Sequence, residues 1–349
     1  MSIFSGLQPP EAFAEAALAL GPAPLVACHN DADGLSAGAI LVKTLQRLGT
    51  EPSTRIVGKG ENAYSDAFLD ELRGRAMTGL VVTDLGVSSR LPDLGLPTVL
   101  IDHHVPTGVP THACVVSGIE DDPIPTSSLL AYRCAKAIGV ETGDLLWLAA
   151  IGLIGDMADE DGFPEMEEAR ALGITALRKA VSLVNAPRRT ASGDASAALG
   201  LLLKADGAKA VLSGAHAETA ALLQAKEEVK AALDAARKIG PKVSAEVALI
   251  PFSSPCQIHP LVAQAWRTRI RDRIVIAANF GYREGWVHFA ARTGEDRDLI
   301  AFLAEHRPPG AGEEYGNGHR LASGGALRLA DWNHFVHAIG FGPELEAAA

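Results

Sequence analysis

Four apolar runs in the first half of this chain each stop at an acidic residue. "PLVAC" leads into His29-Asn30-Asp31-Ala32-Asp33, "GLVVT" into Asp84, "PTVLI" into Asp102-His103-His104, and "LLWLAAIGLIG" into Asp156. An ionised carboxylate is costly to bury alone, so each acid marks where its segment leaves the core. In a doubly wound sheet, ligands sit outside the carboxyl ends of the strands. If the four segments converge there, several carboxylates and imidazoles crowd together and repel unless cations join them. Oxygen from Asp and nitrogen from His, with no thiolate in the pattern, suit manganese or magnesium better than a structural zinc. Taken singly, each acid has a plainer reading. Asp84 alone reads as a helix cap or turn residue, Asp33-Gly34 as a turn, and His103 as an ordinary polar residue. A DxD run after one strand and a DHH run after another together carry the metal reading.

The surrounding pattern predicts an α/β fold in two domains. Strands are expected at Pro24–His29, Ser53–Val57, Gly79–Asp84, Pro97–Asp102 and His112–Val116, with helices beginning near Gly34, Tyr64, Ser127 and Asp144. That alternation is the mark of a parallel sheet. Residues 1–165 read as the metal-binding domain. Residues 166–240, rich in Ala, Leu, Lys and Glu, read as a helical connector, with one long helix over Ala217–Lys238. Strand patterns return in "SAEVALIPF", "DRIVIAANF" and "GWVHFAAR", so residues 241–349 read as a smaller α/β domain.

Composition narrows the setting. The chain has 349 residues, 48% hydrophobic and 21% charged, as in an ordinary globular protein. Its longest apolar run is shorter than the roughly 20 residues that span a bilayer. The N-terminal stretch has no basic leader and reads as a short amphipathic helix, which with four scattered cysteines and no CxxC pair predicts a reducing cytoplasm and no membrane association. A net charge of −11 argues against sequence-independent duplex binding, yet leaves room for an anionic substrate held by a few arginines and metal ions.

The strand-end motifs resemble those of the DHH phosphoesterase superfamily, named for the triplet seen here as Asp102-His103-His104. "HNDADG", "VVTDLG", "IDHH" and "GLIGDMAD" follow in the superfamily's order, and "GNGHRLASGG" (Gly316–Gly325) is similar to the signature of its DHH-associated domain. The resemblance implies that His29 and Asp31 hold one ion and Asp33 the second, that Asp84 bridges them, and that His103 and Asp156 complete the second site. It implies two Mn2+ ions, with Mg2+ as the other choice. It also implies that His104 faces the substrate and that Asp102 orients a histidine. The HxDxD spacing looks more like the RecJ-type branch than the pyrophosphatase branch.

In the C-terminal stretch, close glycines read as a phosphate-cradling loop, with Gly316, Gly318, His319, Arg320 and Ser323 as donors. Arg292 at a strand end reads on its own as a surface salt bridge, while the resemblance implies an arginine there that grips the substrate. "RTRIRDR" (Arg267–Arg273) is the dense basic run; on a helix it places Arg267 and Arg271 on one face, usually a solvated one. These readings combine into a metal-dependent phosphodiesterase acting on single-stranded nucleic acid ends or short oligonucleotides. The alternatives are a 3'-phosphoadenosine 5'-phosphate phosphatase, a cyclic-dinucleotide phosphodiesterase, a pyrophosphatase, or a nucleotide sensor without catalysis.

Overall fold

The computed structural model describes residues 4–294, 297–312 and 314–347, with the backbone but not the side chain of Asn317. The chain forms two compact units, Met1–Arg188 with Ser192–Gln224, and Arg189–Ala191 with Ala225–Ala349.

In the first unit the order is β1 (Leu7–Gln8), α1 (Phe13–Ala19), β2 (Leu25–His29), α2 (Ala32–Arg47), β3 (Ser53–Val57), α3 (Asp66–Gly74), β4 (Leu80–Thr83), β5 (Thr98–Asp102) and β6 (Cys114–Ser117). Six helices follow: α4 (Ser127–Ala137), α5 (Leu146–Gly155), α6 (Pro164–Ala169), α7 (Ile174–Val184), α8 (Ser196–Lys204) and α9 (Ala208–Ser213). The strands form one parallel sheet in the order β1-β6-β5-β4-β2-β3. The chain runs outward from β2 to β3, then returns to lay β4 on the other side of β2. The switch point of the winding therefore falls between β2 and β4, where an open α/β sheet leaves a crevice.

Alternation along the strands divides the core. Val26, Cys28, Val81, Val99 and Ile101 face one layer with α1, α2, α4 and α5, while Leu25, Ala27, Leu80, Val82 and Leu100 face Phe68, Leu69 and Leu72 of α3. Helix α2 is buried on almost every side. It reaches this depth through small residues: a Cβ at Gly38 would stand 2.9 Å from Cys28 Sγ. Within the stretch read as a connector, α7 gives Leu177, Leu183 and Val184 and α8 gives Leu199 and Leu202 to the same core. Strand β1 carries only two residues and had no apolar run to announce it.

Helix α10 (Ala217–Ala236) spans the division between the units. The second unit continues with β7 (Lys242–Val243), β8 (Val247–Phe252), α11 (His259–Arg267), β9 (Ile274–Arg283), β10 (Trp286–Arg292), α12 (Leu299–Glu305), β11 (Tyr315–His319), β12 (Ala322–Arg328) and α13 (Leu329–Ala338). Its sheet runs β11-β12-β10-β9-β8-β7 and is antiparallel except where β8 meets β9. Trp332, Phe289 and Phe335 form its core, the two phenylalanine rings stacked 5.3 Å apart.

Two expectations are corrected here. The glycine-rich stretch forms a hairpin of strands: a Cβ at Gly324 would strike the Phe289 carbonyl, and one at Gly325 would lie 2.6 Å from the Glu314 carbonyl. Close strand packing accounts for those glycines. The basic run does not continue a helix, because α11 ends at Arg267. Arg267 Nε donates to the Thr293 carbonyl at 2.8 Å, and Arg273 Nη1 donates to the Ala245 carbonyl at 3.1 Å. Among the described residues no helix is long and apolar enough to cross a membrane.

Candidate metal centre

The acidic residues gather where the winding switches. Asp31 caps α2, its Oδ1 accepting from Gly34 N at 3.0 Å. The helix thus starts at Ala32 rather than near Gly34, and Oδ2 of Asp31 is left to face His29 Nδ1 at 3.0 Å. Asp33, in the first turn of α2, is buried. Its carboxylate accepts Ser127 N–H at 2.8 Å and Ser128 N–H at 3.0 Å, at the start of α4. Gly152 of α5 makes this possible, since a Cβ there would strike Ser128 Oγ and Asp33 Oδ1.

Asp84 follows β4 in the left-handed region, with φ +59°, a conformation costly for most side chains and best tolerated by Asn and Asp. Its N–H is tied to the Ile101 carbonyl at 3.2 Å. Oδ2 lies 3.5 Å from His29 Nδ1; Oδ1 lies 3.5 Å from His103 Nε2 and accepts from Ser127 Oγ at 3.0 Å. His103 Nε2 in turn lies 3.6 Å from Asp156 Oδ2. Gly34 keeps the approach open: a Cβ there would sit 2.8 Å from Asp84 Oδ2.

Asp102 does a different job. Oδ2 accepts from Gly86 N at 2.7 Å, and Oδ1 accepts from both the His104 N–H and Nδ1, each at 2.8 Å. The histidine it orients is His104, not His103. The His104 ring stands edge-on to His103, 4.4 Å away, with its side chain 55% exposed.

Among the described residues, three donor groups have ligand atoms within 4.8 Å of one another: His29, Asp31 and Asp84; Asp33, His103 and Asp156; and Asp84, His103 and His104. Every donor is a carboxylate oxygen or an imidazole nitrogen. Cys28, beneath the site, is pushed up to about 12 by burial and the charge of Asp84, so it stays a neutral thiol. The donor chemistry fits hard divalent cations.

Protonation reflects the crowding. Burial and the Asp84 carboxylate push Asp33 up to about 7. Burial, then Asp33, Asp31 and Asp84, push Asp156 up to about 8. For the imidazoles burial works the other way and is outweighed, by Asp31 and Asp84 at His29 (about 10) and by Asp84 and Asp33 at His103 (about 9).

Sequence reasoning missed a loop that enters the centre. Asn185 Oδ1 accepts from Ala32 N at 2.9 Å, and Arg188 Nη1 lies 3.0 Å from Asp31 Oδ2. The one available signal was a pair of arginines in "NAPRR", far along the chain from every acidic motif.

In the second unit, Arg292 closes β10 half-buried, and its Nη1 donates to the Ala291 carbonyl at 2.8 Å. Among the described residues it forms no ion pair with a carboxylate, and burial with the nearby charge of Arg267 lowers its pKa. It lines a cavity of about 330 Å3 with His259, Glu314 and Ser323. Gly316, Gly318, His319 and Arg320 do not line that cavity; the first three belong to β11, and a Cβ at Gly318 would lie 2.5 Å from the Ala322 carbonyl.

No protein-family model matches the chain. It is 28% identical over 306 residues to the single-stranded-DNA-specific exonuclease RecJ of Thermus thermophilus, covering 76% of this chain and 45% of that protein. The crystal structure of RecJ from Thermus thermophilus with Mn2+ superposes with a TM-score of 0.72 at 23% identity, covering 97% of this chain and 54% of that one. A crystal structure of exonuclease RecJ bound to manganese gives 0.69 at 22% identity, covering 96% of each chain. The chain is thus similar in sequence to RecJ and shares the fold of the RecJ crystal structures. It spans about half the length of the curated Thermus relative. Of the Asp102-His103-His104 triplet, both histidines belong to donor groups, and Asp102 holds His104 by hydrogen bonds.

Two outcomes test this geometry. A cation must displace protons from Asp156, His29 and His103, so Mn2+ affinity should rise with pH through 7 to 9 with proton release. Calorimetry in buffers of different ionisation enthalpy measures both; affinity that is flat across that range contradicts the donor set. Gly152→Ala should lower stability by about 1–3 kcal/mol, read by urea unfolding, and weaken Mn2+ binding by displacing Asp33.

Proposed function

We propose that the chain is a metal-dependent phosphodiesterase that hydrolyses single-stranded nucleic acid ends or short oligonucleotides. The observation that carries this reading is Asp84, whose two carboxylate oxygens face separate donor groups. In this reading His29, Asp31 and Asp84 hold one Mn2+ or Mg2+ ion, and Asp33, Asp84, His103 and Asp156 hold the other. When bound, such a pair lowers the pKa of a water and clamps the oxygens of a phosphoester.

The protein's own groups supply the rest. The paired N–H groups of Ser127 and Ser128 fix Asp33, and Ser127 Oγ fixes Asp84, so neither carboxylate has to reorganise. Asp102 holds His104 by Nδ1 and favours its protonated form, which leaves Nε2–H to donate to a phosphoryl or leaving oxygen. Arg292, half-buried and without a carboxylate partner among the described residues, is the proposed grip on a substrate phosphate. The similarity to RecJ supports a single-stranded substrate. The cavity beside Arg292, about 330 Å3, also suits a single nucleotide, which favours a small-nucleotide phosphoesterase as the second reading. The proposed setting is the cytoplasm, where the four free cysteines stay reduced.

Short RNAs, single-stranded DNA, 3'-phosphoadenosine 5'-phosphate, a cyclic dinucleotide and pyrophosphate, each with Mn2+, separate the readings. Turnover of oligonucleotides well above the others is expected, and turnover of pyrophosphate alone overturns the proposal. Asp84→Ala should reduce hydrolysis by several orders of magnitude. Arg292→Ala should raise KM about tenfold or more while Mn2+ binding stays unchanged.

A further inference from the structure

The loop after α7 is tied to the loop after β2 by the Asn185 Oδ1 to Ala32 N bond of 2.9 Å. Arg188, three residues after this tether, lies at the donor groups. Arg188 Nη1 stands 3.0 Å from Asp31 Oδ2, the same oxygen that His29 Nδ1 faces at 3.0 Å. Oδ1 of that carboxylate is already used to cap α2. Arg188 Nε is buried and has no hydrogen-bond partner among the described residues. A buried guanidinium donor without an acceptor is costly, and retaining one is best explained by an acceptor that arrives with a ligand.

We propose that Arg188 is a phosphate-gripping residue of the reaction, parked on Asp31 until a cation takes that carboxylate. The inference rests on the function proposed above and adds to it. Asp31 Oδ2 is one oxygen with two cationic claimants already beside it. A divalent ion arriving there repels the guanidinium at contact distance, where Coulomb terms are strongest. Displaced from Asp31, Arg188 keeps a planar set of donors beside the donor groups, with Nε and Nη1 both open to a phosphoryl oxygen. Such a fork suits phosphate better than a lysine does. The same residue therefore opposes binding of the first ion and favours binding of the phosphoryl group.

The two effects have opposite signs, which makes them testable without turnover. The chain, stripped of metal, is titrated with Mn2+ by calorimetry, and the Mn2+-loaded protein is then titrated with inorganic phosphate. Arg188→Gln is expected to bind Mn2+ about tenfold more tightly and inorganic phosphate about tenfold more weakly than the unaltered chain. Arg188→Lys keeps the charge and loses the fork, so its Mn2+ affinity should stay near that of the unaltered chain while phosphate binding weakens. Weaker Mn2+ binding in Arg188→Gln overturns the proposal, since Arg188 would then be a prop for Asp31. Unchanged phosphate binding in either variant overturns it as well. Failure of the unaltered chain to hydrolyse any compound of the substrate panel would instead remove the proposed function, leaving these two titrations to be read independently.

Discussion

The Asp84 carboxylate reaches toward two imidazoles at once, with His29 Nδ1 and His103 Nε2 each 3.5 Å from one of its oxygens. Much of the first unit's local structure makes that position tenable. The backbone accepts a left-handed φ at an aspartate, Ser127 Oγ holds one oxygen, and Gly34 leaves the other uncrowded. Asp84 is buried among three further acids, so the cluster is stable as a set only with protons or cations on it. Raised values at Asp33 and Asp156 and raised values at both histidines are two expressions of one excess of negative charge.

The fold prepares this crowding at a distance. Apolar strands β2, β4 and β5 end level with one another, so the residues after them meet at one edge. The winding reverses between β2 and β4, which separates the helices that follow and leaves their first turns open. The N-termini of α2 and α4 then supply backbone N–H groups to Asp31 and Asp33. Helix starts thus fix Asp31 and Asp33 through backbone N–H groups, while side chains of Ser127, His29 and Arg188 meet Asp84 and the second oxygen of Asp31.

Much of this was legible in the sequence. Strand β3 falls where the pattern placed it, and β2, β4 and β5 fall within a residue of expectation, because unbroken apolar runs bounded by Gly, Pro and Asp leave little choice. The gathering of His29, Asp31, Asp33, Asp84, His103 and Asp156 was expected from acids that close apolar runs together with the family resemblance, and Asp156 closes helix α5 rather than a strand. The start of α2 was misplaced because a capping aspartate and a metal-facing aspartate look alike in one dimension, and Asp31 caps α2 with one oxygen while the other faces His29. The glycine-rich stretch looked like a loop because glycine signals freedom in a sequence. In the folded hairpin, Gly324 and Gly325 instead answer to the neighbouring strands' carbonyl groups. Arg188 left no pattern at all, since its partner lies on a distant segment and the contact depends on the Asn185 tether.

The central claim is that one carboxylate is shared by two ions, and electron paramagnetic resonance of the Mn2+-loaded protein addresses it most directly. The expected spectrum at two equivalents of Mn2+ is that of a spin-coupled pair, replaced in Asp84→Asn by the signal of isolated ions. A six-line spectrum of isolated Mn2+ in the unaltered chain at full loading would contradict the bridging role of Asp84.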